Sequence, residues 1–285
     1  MRGEAVGANA GQAAFWTTGP GLKWAARHAG LDALFAPITD ELMRRAGIDA
    51  GSRILDVGCG AGDTTLAAAD LTGAGGNVTG VDISSTLLEV ARRRATGRDG
   101  IEFVHADAQT HRFHPATFDL LISRFGLMFF ADPVSGFVNL AKALRPGARL
   151  SFVAWAALHQ NPWNREARAA GVARLGDVEP DRPREPGQFA FAEIGYVADI
   201  LSKAGLTVIC AEEVQSHLLV SGRAADAANL ATEIGPVSRI LREKGGAEAD
   251  RIAIAADLAR RFGDYEAADG VRIPASLNFF EAMRP

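Results

Sequence analysis

The residues best able to do chemistry lie in one short string, Asp56-Val57-Gly58-Cys59-Gly60-Ala61-Gly62, and in two further aspartates, Asp82 and Asp107. Glycines at this spacing let a backbone approach a ligand closely, and a helix opening behind them adds unpaired N–H groups and a positive dipole end. A dinucleotide-binding loop wants a third glycine where its helix packs on its strand, and this chain has Asp63 there. An acid at that helix mouth repels pyrophosphate and suits a ligand with a cationic end. Asp82 falls 24 residues after Gly58, where a carboxylate accepts from both ribose hydroxyls, so it points to a nucleoside without requiring a dinucleotide. Asp107, followed by Ala108, is placed to accept from an adenine amino group or, alternatively, to cap the turn that follows.

These residues need a scaffold, and from Ser52 onward short buried runs alternate with longer helical segments, the pattern of an α/β chain with a helix-covered parallel sheet. The spacing predicts strands over 53–58, 77–83, 101–107, 118–126 and 148–155, with helices over 63–72 and 85–96, the latter capped by Ser84 and Ser85. A third helix, within 132–147, has Pro133 in its first turn and Pro146-Gly147 as its stop. The pattern then breaks: HQNPWNREARAAG and DVEPDRPREPGQ, with Pro180, Pro183 and Pro186, read as connecting loop. A helix over 193–204, a strand over 206–214 and two or three Ala-rich helices within 221–269 follow. The closing strand, 271–283, contains Pro274, so its start belongs at a sheet edge.

The string ILDVGCGAGDTT, then VTGVDIS, VHADAQ and FDLLISRFGLMFFADP, resembles the class I S-adenosylmethionine-dependent methyltransferases. Within them it is similar to the small-molecule branch of ubiquinone and menaquinone biosynthesis methyltransferases, over about residues 55–155. The resemblance implies a Rossmann-like, seven-stranded, mostly parallel sheet with a reversed last strand, helices on both faces and helical cap insertions. It implies S-adenosylmethionine as cofactor, with S-adenosylhomocysteine as product, and contacts at Asp56, Gly58, Cys59, Gly60, Gly62, Asp82, Ile83, Asp107, Ala108 and Ser123. FWTTGPGLKWAARH resembles the aromatic N-terminal segment of the same branch, which folds over the cofactor and adds Trp16 to these contacts. Cys59 reads as a small spacer in the motif, because its neighbours supply no activating cation.

Methyl transfer from a sulfonium is an in-line displacement, so positioning supplies much of the catalysis and a dedicated base is optional. His105, His111, His114, His159 and His217 are the possible bases; His159, just past the fifth strand, is the best placed, its alternative being a solvated loop histidine. His111 and His114 have a metal-like spacing without a third ligand nearby, so no zinc site is expected. Phe125, Met128, Phe129, Trp155 and Trp163 read as an acceptor pocket for an apolar or ring-bearing molecule, with Arg124 either at its edge or paired to a surface acid. The N/D-P-P-Y/F tetrad of many base- and amide-methylating enzymes does not follow the fourth strand, which disfavours DNA as acceptor.

Composition narrows the class. The chain has 285 residues, 48% hydrophobic and 22% charged, a net charge of −4 and no apolar run that would span a membrane. Cys59 and Cys210 are too few for a disulfide framework, and the N-terminus lacks a signal peptide's apolar segment, so a soluble cytoplasmic protein is expected. Scattered basic residues outnumbered by acids exclude a phosphate-backbone binder, leaving a small-molecule partner. The expectation is one domain over 1–285, with a core at about 47–154, 193–215 and 271–285 and caps at 1–46, 155–192 and 216–270. Two rival classes are an NAD-dependent oxidoreductase, which suffers from the missing third glycine, and a non-catalytic S-adenosylmethionine-binding module.

Overall fold

The computed structural model describes residues 9–180 and 182–285; the first eight residues of the expected cap 1–46, with most of the segment read for a signal peptide, and Asp181 of the proline-rich stretch lie outside the described residues. Three helices come first, α1 (Ala10–Thr17), α2 (Gly19–Ala26) and α3 (His28–Ala46). The alternation follows: β1 (Arg53–Val57), α4 (Asp63–Thr72), β2 (Asn77–Asp82), α5 (Ser85–Arg94), β3 (Ile101–His105), β4 (Phe118–Arg124), α6 (Pro133–Ala143) and β5 (Leu144–Trp155). The remainder is α7 (Pro162–Leu175), α8 (Ile194–Lys203), β6 (Thr207–Val220), α9 (Ala224–Glu233), α10 (Pro236–Lys244), α11 (Glu248–Phe262), a two-residue β7 (Glu266–Ala267) and β8 (Gly270–Met283).

The sheet order is β3-β2-β1-β4-β5-β8-β6, with β7 paired to β8. Pairings among β1 to β5 are parallel, whereas β8 runs antiparallel to both β5 and β6, so the reversed last strand is the one expected from the sequence. Past their first residues β1 and β2 are buried throughout, as strands covered on both faces must be. Strand alternation assigns the faces further out. Phe152 and Phe280, cross-strand partners stacked at 4.8 Å, lie on the side of Phe137 from α6, while Trp155 and Phe279 turn toward α3. Helices α3, α4 and α5 cover one face, and α6 and α8 the other.

Local signals behave as the physics requires where they act over short range. Ser84 caps α5 by accepting from the Leu87 N–H, and Asp132 caps α6 by accepting from the Ser135 N–H. Three readings are corrected. Helix α6 stops at Ala143 and β5 begins at Leu144, with Pro146-Gly147 inside the strand; the register against β4 breaks between Phe118 and Leu120, which frees a proline from the ladder. Strand β6 runs on to Val220 because β8 pairs with it along that length. The first stretch read as loop holds α7, with Pro162 in its first turn, where a missing N–H costs nothing. Pro274 stands opposite His217, past Leu277, the last residue of β8 that β5 reaches, and so lies at the edge that a strand proline needs. Among the described residues no helix is long and apolar enough to cross a membrane.

Candidate cofactor and acceptor site

Gly58, Gly60 and Gly62 all have positive φ, at 70°, 53° and 87°. A Cβ on Gly58 would lie 2.6 Å from the Gly126 Cα, so the turns after β1 and β4 touch and only glycine fits. At Gly60 the nearest heavy atom would be 4.0 Å away, which leaves its outer side open to a ligand. Cys59 is buried and its thiol is pushed up by burial and then by Asp82 and Asp56, so it is a spacer with no thiolate character.

Three carboxylates lie at or just past the C-terminal ends of β1, β2 and β3. Asp56 is fully buried; its Oδ2 accepts from the Thr64 and Thr65 hydroxyls at 2.6 Å each, while Oδ1 has no partner. Burial pushes its pKa up to about 6 against the pull of those hydroxyls. Asp82 accepts from the Gly60 N–H at 2.7 Å and the Ser84 N–H at 2.8 Å, one on each oxygen, leaving a lone pair on each. Burial raises its pKa as well. Asp107 accepts from the Gln109 N–H at 2.9 Å, so it does cap a turn, and both its oxygens accept from the Asn9 amide at 3.0 Å. Beside it, Ala108 is buried with its carbonyl accepting from Asn139, and the Ile83 carbonyl meets His105 Nε2 at 3.1 Å.

Two further candidates tie neighbouring elements together. The Ser123 hydroxyl donates to the Val57 carbonyl at 2.7 Å, joining the ends of β4 and β1. Arg124 pairs with Asp63 at 2.6 Å, contacts the Thr39 hydroxyl and lies 5.2 Å over the Phe35 ring, so it is paired with an acid at the mouth of α4, as one of its two readings has it. A half-buried guanidinium needs such a partner to offset its lost hydration.

A continuous row of rings leads away from the loop. Phe129 meets Trp16 edge-on at 5.4 Å, Trp16 meets Trp24 at 5.4 Å, and Trp24 stacks near Phe35 at 6.1 Å. Phe35 meets Phe125 at 5.5 Å, and Phe125 stacks on Trp155 at 4.7 Å with 6° between planes. Phe125 holds a φ of 62°, a conformation unfavourable for a bulky side chain, on the turn between Arg124 and Gly126. Met128 is buried in the turn that follows. Trp163 stands apart from this row, stacked on Phe262 of α11 at 5.7 Å, and glues α7 to the helical cap. His159 is exposed and its backbone carbonyl accepts from Arg165, as the alternative of a solvated loop histidine has it. Sequence reasoning missed Asn9, Thr39, Thr64 and Thr65; hydroxyls just inside a helix that follows a buried acid were a usable signal for the last two.

Fold and site together define a class. A sheet in this order with its reversed strand, a glycine turn after β1, and carboxylates ending β2 and following β3 make a Rossmann-like arrangement similar to that of the class I S-adenosylmethionine-dependent methyltransferases. Residues 54–147 match the family model described as a methyltransferase domain (Methyltransf_25). The chain is 42% identical over 101 residues to a demethylmenaquinone methyltransferase of Clavibacter sepedonicus, which covers 35% of this chain and 40% of that protein. It thus spans less than half the length of the curated relatives it matches. In fold it is similar to Haemonchus contortus phosphoethanolamine N-methyltransferase 2 bound to S-adenosyl-L-methionine, with a TM-score of 0.60 and 21% identity, covering 99% of this chain and 60% of that one. The cyclase SpnF is similar too, at a TM-score of 0.55 and 21% identity, covering 87% of this chain and 80% of that one.

Proposed function

We propose that the protein transfers a methyl group from S-adenosylmethionine to a small apolar or ring-bearing acceptor. The observation that carries this reading is Asp82, a buried carboxylate at the end of β2 aimed by the Gly60 and Ser84 N–H groups across a turn followed by an acid, Asp63. With a ribose on Asp82 and an adenine beside Asp107 and Ala108, the amino-acid tail would extend toward Asp56 and Asp63. The partnerless Asp56 Oδ1 supplies an acceptor for its ammonium group. Bound there, the cofactor would supply a methyl carbon on a sulfonium, which an acceptor's lone pair would take as the carbon–sulfur bond's electrons return to sulfur.

The chain's own residues bind, orient and exclude water. The glycine turn and Asp82 fix the donor, and the row from Trp16 to Trp155 offers an apolar wall against which a flat acceptor is held in line. No described histidine makes a ring contact with that row: His28 contacts the Ala25 carbonyl, His105 the Ile83 carbonyl, His111 the Phe113 ring and His217 Arg272, while His114 and His159 are exposed. An acceptor that attacks as a phenolate, an enolate or a free amine needs no stronger base.

Residues 1–46, 155–192 and 216–270 act as caps in this reading. The first is joined to the third by Arg27 and Glu233 at 2.7 Å and by Lys23 and Ser238 at 2.9 Å. A net charge of −4 fits a small-molecule partner in the cytoplasm better than nucleic acid. The NAD reading is disfavoured by the missing third glycine, in whose place Asp63 stands, paired with Arg124. The fold alone does not decide between transfer and other chemistry, as the cyclase shows. The deciding test is transfer of labelled methyl from S-adenosylmethionine to a panel of phenols, quinols and amines. A labelled product with stoichiometric S-adenosylhomocysteine supports the proposal, and cofactor binding without transfer to any class contradicts it in favour of a binding module.

A further inference from the structure

Four buried side-chain atoms among the described residues have no hydrogen-bond partner: Asp56 Oδ1, Ser151 Oγ, Asn164 Nδ2 and Asn278 Oδ1. The first belongs to the cofactor site, and Ser151 and Asn278 sit within β5 and β8. Asn164 alone lies in the helical cap, fully buried in the first turn of α7. Its place is fixed from three sides. Asn161, at the start of that helix, bonds the Ala156 and Ser276 carbonyls and accepts from the Ser276 N–H, which anchors α7 to the end of the sheet just past Trp155. Gln188 donates to Asn164 Oδ1 at 3.0 Å, and the adjacent Gly187 N–H donates to the Met128 carbonyl at 3.1 Å, so this amide is connected to the turn that carries Met128 and Phe129. Gly235, at the corner before α10, stands opposite, where an added Cβ would come 3.8 Å from Asn164 Oδ1.

Gln188 engages the carbonyl end of the Asn164 amide and thereby leaves an N–H donor without a partner, in the corner where Gly187 bonds the Met128 carbonyl and Asn161 bonds the carbonyl of Ala156, the residue after Trp155. A buried donor of this kind is unfavourable unless something accepts from it, and a site built so discriminates sharply against molecules that lack the acceptor. We infer that Asn164 is a specificity-determining residue whose Nδ2 donates to a carbonyl or phenolate oxygen on the ring of the methyl acceptor. The inference rests on the proposed methyl-transfer reading for the name of that ligand. It restricts the substrate class to oxygenated rings, with Gln188 as the residue that orients the amide.

The test uses the full chain saturated with S-adenosylhomocysteine and two probes, 1-naphthol and naphthalene, followed by fluorescence titration. We expect 1-naphthol to bind at least roughly tenfold more tightly than naphthalene to the native protein. Asn164→Leu, which removes the donor at similar volume, should erase that ratio while leaving naphthalene and S-adenosylhomocysteine affinities within about twofold. Asn164→Asp keeps the volume and reverses the polarity, so it should weaken 1-naphthol further and serves if the leucine variant does not fold. A native protein that binds both probes equally, or neither, overturns the inference and leaves the amide with a buried water only. So does a preference that survives in both variants. Failure of S-adenosylhomocysteine to bind, with the probe preference intact, would instead overturn the cofactor reading and leave Asn164 as a ring-oxygen donor.

Discussion

The Asn9 amide donates to both carboxylate oxygens of Asp107, 98 positions along the chain, and its own carbonyl accepts from the Ala131 N–H at 2.9 Å. This one side chain pins the start of α1 to the turn that follows β3, and the Ser84 hydroxyl adds a second tie, to the Trp16 carbonyl at 2.6 Å. Hydrogen bonds to a charged group contribute about 1.5–3 kcal/mol. Asn9→Ala should therefore speed hydrogen exchange across α1 by roughly 10- to 100-fold, with the amides of β1 and β4 unchanged. Unaltered exchange in α1 would mean that the tie does not hold the segment down.

The buried Asp56 gives a pH dependence with an unusual sign. Its carboxyl titrates near 6 in the folded protein against an ordinary value of 3.8, so the folded state holds the proton more tightly. That contribution to stability is fully present below the ordinary value and is lost as pH rises through about 6, at a cost near 3 kcal/mol. Asp56→Asn, whose carbonyl can still accept from Thr64 and Thr65, should match the native chain at pH 4 and exceed it by about 1–3 kcal/mol at pH 8 without ligand. Urea titrations at the two pH values read this directly, and a variant less stable than native at pH 8 contradicts it.

Gly58→Ala combines a left-handed backbone with a Cβ placed 2.6 Å from a backbone carbon of Gly126. The conformational cost alone is about 1 kcal/mol, and the clash adds to it because the atom met is main chain and cannot swing away. We expect a loss of about 2 kcal/mol or more in denaturant unfolding and weakened cofactor binding. Gly60→Ala, with open space around its Cβ, should cost stability less and binding at least as much. Equal stability losses at the two positions would argue against contact between the turns.

The cap tie should act on the acceptor and spare the cofactor. Arg27 and Glu233 are 55% and 28% exposed, so their pairing contributes under about 1 kcal/mol to stability. Its effect belongs in closure: Arg27→Ala is expected to raise the acceptor KM roughly 2- to 5-fold and leave S-adenosylhomocysteine affinity unchanged. An acceptor KM that stays constant while cofactor affinity falls would place the contact on the cofactor side.

How far the sequence reached depended on the range of the interaction. Asp63–Thr72 and the Ser84 and Asp132 caps follow from neighbours within one helical turn, and they match what periodicity and capping chemistry dictate. The β5 start at Leu144 was hidden because an apolar run bounded by Pro-Gly reads as a helix end, and only its pairing with Phe118 makes it a strand. Trp163 was read by its nearness to the site in sequence, and Arg124 either so or as the partner of an acid that the sequence did not name. Their partners, Phe262 and Asp63, are 99 and 61 positions away, and nothing local announces them. Asn9 was invisible for the same reason, since its partners Asp107, Gln109 and Ala131 all lie far along the chain.

The most direct test of the central claim is calorimetric titration of the full chain with S-adenosylhomocysteine and, separately, with NAD, in the native protein and in Asp82→Ala. The expected result is saturable binding of S-adenosylhomocysteine at one site per chain and no heat with NAD. Loss of two charge-assisted hydrogen bonds should weaken the variant roughly 30- to 1000-fold, about 2–4 kcal/mol. Circular dichroism must show the variant folded, because Asp82 also holds the Gly60 and Ser84 N–H groups. Tighter binding of NAD than of S-adenosylhomocysteine, or an Asp82→Ala affinity within about threefold of native, would contradict the account.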